Sequence, residues 1–99
     1  MFDRTILDQL QYPGEIAKDI ATREKKKRRS LGLTQAELSS RAGMSLASLK
    51  RFEQTGEISF VSLLKIASVL DELDAFGQLF TRKGYRSIQE VIDERDRQS

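Results

Sequence analysis

Between Gly32 and Gly56 the chain carries helix-boundary signals so closely spaced that few arrangements satisfy them all. Thr34 and Glu37 have the spacing of a capping box, in which the hydroxyl accepts the amide three residues on and the carboxylate accepts the threonine amide. A short helix is predicted to follow over Gln35 to Ala42, with Ala36, Leu38 and Ala42 facing inward. Gly43 supplies the positive φ that a sharp exit demands. Ser45 then caps another helix, which closes near Gly56, with Leu49 and Phe52 inward and Lys50 and Arg51 outward. The result is two short helices on either side of a tight glycine turn.

The remainder also reads as helix. Pro13-Gly14 precedes a helix-forming stretch to about residue 31, where Ile16, Ile20 and Leu31 fall near one face, Glu24 and Lys27 interrupt that stripe, and Gly32 ends it. Ser59 caps a fourth helix through Leu70, with Leu63, Ile66, Ala67 and Leu70 on its buried face. Asp74 is the expected cap of a brief fifth helix, Ala75 to Phe80. Gly84 and its charged neighbours read as a linker, and Ser87 with Glu90 repeats the capping-box spacing ahead of a short amphipathic tail helix. No strand pattern, repeat or low-complexity tract is visible.

A chain of 99 residues supports one core. It contains neither cysteine nor histidine, which removes disulfides, thiolate nucleophiles, zinc sites of the usual Cys/His kind and imidazole-based triads. No acid/base constellation, phosphate loop or metal cluster is visible, so neither an enzyme nor a cofactor-dependent protein is expected. The longest apolar-rich run, Phe60 to Leu70, is too short to span a bilayer, and Asp3, Arg4 and Asp8 break any leader at the amino terminus. A cytoplasmic protein is the expectation. The net charge of +2 conceals a division: residues 23–56 hold nine basic and three acidic groups, whereas the segments on either side are each acidic by two. A concentrated positive field of this kind fits a polyanion, although a solvated helix face is the plainer reading of Arg23, Lys25, Lys26, Lys27, Arg28 and Arg29.

The segment from Gly32 to Gly56, GLTQAELSSRAGMSLASLKRFEQTG, resembles the helix-turn-helix of lambda-repressor-like proteins of the Cro/XRE type. The resemblance implies an all-α fold: a five-helix DNA-binding domain over residues 13–81, an arm at 1–12 and a tail, with a short helix, at 82–99. By the same resemblance Leu46, Ala47 and Arg51 face the bases, Ser45, Ser48 and Lys50 lie near phosphates or base edges, and Gln35 stands beside a phosphate. Leu46 and Ala47 depart from the long polar residues common there, and they suit thymine methyl groups rather than bidentate bonds. For Leu46 a protein contact remains open, and for Arg51 a surface ion pair. Arg28 and Glu53 occupy the positions of a partly buried ion pair.

A narrower resemblance, from Ser45 through Ala67 and on to the Phe76–Phe80 stretch and the tail Ser87-Ile-Gln-Glu-Val-Ile, is to HipB-like antitoxins. It implies a homodimeric autorepressor that binds an inverted-repeat operator in double-stranded DNA and also holds a co-encoded HipA-type kinase toxin. A phage-type or stand-alone repressor, or an interaction module that does not bind DNA, are the alternatives. Phe76, Leu79, Phe80, Val91 and Ile92 are the dimer-interface candidates, unless the aromatics close the monomer core. The two acidic ends are the candidate segments for a protein partner, or the arm packs on its own domain or on the second protomer.

Overall fold

The computed structural model describes residues 12–83 together with Arg95. The described residues form five helices and no strand: α1 (Pro13–Ser30), α2 (Gln35–Ala42), α3 (Leu46–Thr55), α4 (Phe60–Val69) and α5 (Leu73–Gly77). Most of the expected arm, the Gly84 linker, the Ser87–Glu90 capping box, Val91 and Ile92 lie outside the described residues.

Local chemistry sets these boundaries. Pro13 opens α1, where its missing amide and fixed φ cost nothing. Thr34 and Glu37 form the reciprocal box, with the Glu37 amide donating to the Thr34 hydroxyl at 3.0 Å and the Thr34 amide to the Glu37 carboxylate at 3.2 Å. The hydroxyls of Ser45 and Ser59 each accept the amide three residues on, at 3.1 Å, and each such cap contributes about 1 kcal/mol. Gly43, at φ 67°, ends α2 and lets the Met44 amide reach back to the Ser39 carbonyl at 3.0 Å.

The core joins Ala21 of α1, Leu38 and Ala42 of α2, Leu49 and Phe52 of α3, and Ile66 and Leu70 at α4, with Ile20, Leu33, Met44, Ile58, Leu63 and Val69 packed around it. Helix α1 lies on α3, α2 lies on both α3 and α4, and α5 lies on α4. Three expected inward positions, Ala36, Ile16 and Leu31, are corrected, whereas Ile20 packs on the core as expected. Ala36, in the first turn of α2, is exposed, while Ser39 is buried and donates its hydroxyl to the Ala36 carbonyl at 3.0 Å. In α1 the apolar stripe is not the buried one: Ile16 and Leu31 are exposed, and the residues turned inward are Ala21, Glu24 and Arg28.

Small residues explain that rotation. Gly56, at φ 81°, ends α3 against the backbone of α1, so close that a Cβ there would stand 2.9 Å from the Ala17 carbonyl carbon and 3.0 Å from the Lys18 amide. Gly56→Ala is expected to destabilise the protein by about 2 kcal/mol, from left-handed strain and from displacement of α1. Chemical denaturation checks this; a loss under about 0.5 kcal/mol, the usual size for an uninvolved surface site, contradicts the contact.

The fifth helix also differs from expectation. It begins at Leu73 and ends at Gly77, Asp74 lies in its first turn, and Glu72 at its N-cap makes no side-chain hydrogen bond there. Phe76 is half-buried and meets Phe60 edge-on, ring centroids 6.3 Å apart. Leu79 is exposed, and Phe80, in left-handed conformation at φ 64°, is wholly exposed. Of the aromatics expected either to pair protomers or to close the core, Phe76 packs within the chain and Phe80 does not.

Candidate nucleic-acid interface

Helix α3 has two unlike faces. Leu49 and Phe52 are fully buried and fix it to the core, while Leu46, Ala47, Ser48, Lys50 and Arg51 form its exposed side. Leu46, 37% exposed, and Ala47 give the first turn an apolar surface flanked by hydroxyls. The Ser45 hydroxyl is committed twice, accepting the Ser48 amide and donating to the Ser48 hydroxyl at 2.7 Å, which leaves the Ser48 proton free to point outward. Lys50 is exposed, whereas Arg51 is held in an ion pair with Glu57, just beyond α3. The open alternative for Arg51 is thus what the free protein adopts.

A buried polar cluster sets the angle of this helix. The guanidinium of Arg28 donates from Nε and Nη2 to the two oxygens of Glu53, both at 2.9 Å, and from Nη1 to the Leu33 carbonyl at 2.8 Å. One side chain therefore ties α1 to the entry of α2 and to α3. The expected Arg28–Glu53 pair is present, but Gln35 is not displayed as expected: its amide donates to Glu53 Oε1 at 2.9 Å, which turns it into a third support of that carboxylate. Burial pushes the Glu53 carboxyl up, but hydrogen bonds from Arg28, Glu24 and Gln35 outweigh it and hold it below the usual carboxylate range.

Glu24 was legible only as an interruption of an apolar stripe. It is in fact 7% exposed, and neither of its oxygens meets a donor from the described residues. Burial, then the adjoining Glu53 carboxylate, pushes its pKa up to about 8. At neutral pH Glu24 is accordingly the protonated member of the pair and serves as a donor to Glu53, which resolves two buried carboxyl groups beside one arginine. Its position four residues before Arg28, on one face of α1, was the signal available in the sequence.

Of the other basic side chains of α1, Arg23, Lys26 and Arg29 are exposed, Lys25 is half-buried, and Lys27 pairs with Glu72 at 3.3 Å. Arg28 is buried and unavailable to any ligand. No cluster of metal-ligating residues and no apolar membrane-spanning helix occurs among the described residues.

Two capped helices across a glycine turn, the second anchored on one side and bare on the other, make up the geometry of a DNA reader. The helix-turn-helix family of the Cro/XRE type matches residues 25–75, more than half of the chain. The chain belongs to the helix-turn-helix family. No curated protein and no solved structure matches it. As a helix-turn-helix protein of the lambda-repressor-like kind it is a DNA-binding transcriptional regulator, and α3 is the second helix of the motif.

Proposed function

We propose that the protein is a sequence-specific repressor that binds an inverted-repeat operator as a homodimer, with α3 in the major groove. The observation that carries this reading is the exposed face of α3, which offers Leu46 and Ala47 to thymine methyl groups and Ser48, Lys50 and Arg51 to phosphates or base edges. One such helix reads few base pairs, and a two-fold dimer doubles them. The fully exposed Phe80 is the apolar residue that a second protomer would cover. The finer reading is an autorepressing antitoxin that also holds a HipA-type kinase toxin; its support is the resemblance of the stretch beginning at Ser45.

Duplex binding by fluorescence anisotropy is expected to weaken linearly in log salt, with a slope of about −0.9 per phosphate neutralised. Affinity unchanged between low and physiological salt contradicts the proposal, and leaves a protein-interaction module, which the apolar Leu46 and Ala47 favour. Because Arg51 must exchange Glu57 for DNA, Glu57→Gln is expected to tighten binding several-fold. Arg51→Ala should instead flatten preference at one position per half-site, costing roughly 1–3 kcal/mol on the matched sequence if it contacts guanine. Uniform weakening on all sequences assigns Arg51 to a phosphate.

A further inference from the structure

An open groove of about 490 Å³ runs between α1, α4 and α5. Ile20, Leu63, Leu70, Ala75, Phe76 and Leu79 make it largely apolar. Charged side chains stand around it: Lys27 and Glu72 pair with one another, while Arg23 lies exposed and has no carboxylate partner among the described residues. Glu24 also reaches the groove but is buried and carries its proton at neutral pH, so it adds no charge to the lining. A pocket for a small molecule needs several convergent polar groups to fix orientation. This one offers an apolar trough with a basic edge, which suits an amphipathic helix bearing acidic residues.

We propose that the occupant is the chain's own C-terminal segment, residues 85–92, packed as a helix in the groove. Tyr85, Ile88 and Ile92 recur at i, i+3 and i+7, which aligns them on one helical face, and Asp93 flanks that face where it can meet Arg23. This helix starts two residues ahead of the Ser87–Glu90 capping box, and Arg95, one turn beyond Ile92, is helical and exposed. Connectivity favours this segment over the amino-terminal arm. Leu79 is itself a groove residue, and the six residues from it to Tyr85 reach at most about 20 Å, so the segment starts beside the trough. The arm joins α1 at Pro13, whereas the α1 residues of the groove begin at Ile20. This arrangement removes Ile92 from the dimer-interface candidates and leaves Val91 at the edge of the packed face.

The chain has no cysteine, so any disulfide in a variant is an introduced one. Ala75→Cys is combined in the full-length protein with Tyr85→Cys, Ile88→Cys or Ile92→Cys in turn, oxidised at low protein concentration and run on a non-reducing gel. The expected result is an intramolecular cross-link, seen as a faster-running monomer, for at least one pair, with a yield independent of protein concentration. Adding Ile88→Asp to the Ile92→Cys pair is expected to reduce that yield at least five-fold. Covalent dimers in place of cross-linked monomers would overturn the assignment in favour of a second copy. Failure of all three pairs to cross-link, in protein that retains its helical circular dichroism, would overturn it outright. A yield unaffected by Ile88→Asp reports chance collision of the tail and also counts against it.

Discussion

Arg28→Met is expected to cost about 3–5 kcal/mol in a urea denaturation series, the loss characteristic of a buried pair deprived of one partner. The substitution leaves Glu53 and Glu24 side by side without the guanidinium that pairs with them and removes the donor to the Leu33 carbonyl. Glu53→Gln is expected to cost less, because Glu24 can ionise and take its place beside Arg28. The double variant Arg28→Met/Glu53→Gln is then expected to be more stable than Arg28→Met alone. A double-mutant cycle reads this directly, and additive single losses contradict the coupling.

Glu24→Gln is expected to abolish the loss of stability toward alkaline pH. The folded protein holds the Glu24 proton up to about 8, well above the ordinary 4.5, so between those values the native state binds more protons than the unfolded chain and stability falls as pH rises. The contribution is fully present below pH 4.5 and gone above pH 8, a difference of at most about 5 kcal/mol. Glu53 has the opposite sign: its pKa is depressed, so its contribution is present above pH 4.5 and lost as acid protonates it. The groups facing Glu24 are Glu53 from α3 and, on its own helix, Arg28 and Lys25. Glutamine in its place donates to Glu53 at every pH. Thermal melts of the wild type and Glu24→Gln from pH 5 to 9 check this, with the wild type losing stability relative to the variant from pH 5 to about 8 and the two curves running parallel above that. Equal slopes for the two proteins below about pH 8 contradict the protonated carboxyl.

The helix-turn-helix unit was legible because each of its boundaries depends on chemistry local in sequence. Thr34, Glu37, Gly43, Ser45 and Gly56 form turns and caps whose partners lie within a few residues, and the structure has all of them where the sequence places them. Helix α1 was misread for the opposite reason. Its buried face carries Ala21, Glu24 and Arg28, which are suited to that face only by the close approach at Gly56 and by Glu53, a residue 25 positions from Arg28. Periodicity weighs Ile16 and Leu31 above Glu24, and no local rule reverses that order. At the candidate site, Gln35 was read as a free polar group and the ion pair of Arg51 was left open without a partner, because Glu53 and Glu57 come from other turns of the chain. The start of α5 at Leu73 follows a left-handed Asp71 at φ 60°, a conformation that nothing in its neighbours signals.

The convergence of Arg28, Gln35 and Glu24 on one carboxylate of α3 has a consequence for how the protein opens. A helix tied to two others through a single buried group cannot swing out by itself, so its amides exchange with solvent only when the whole unit unfolds. In hydrogen–deuterium exchange the amides of Leu49, Phe52 and Glu53 should share the slowest rate, although the outer side of their helix is bare. Those of α5, a five-residue helix with no buried side chain, should exchange orders of magnitude faster. If α3 enters DNA as proposed, it does so on a backbone fixed in advance, so adjustment on binding falls to its exposed side chains and to the DNA, which bends or twists to meet it.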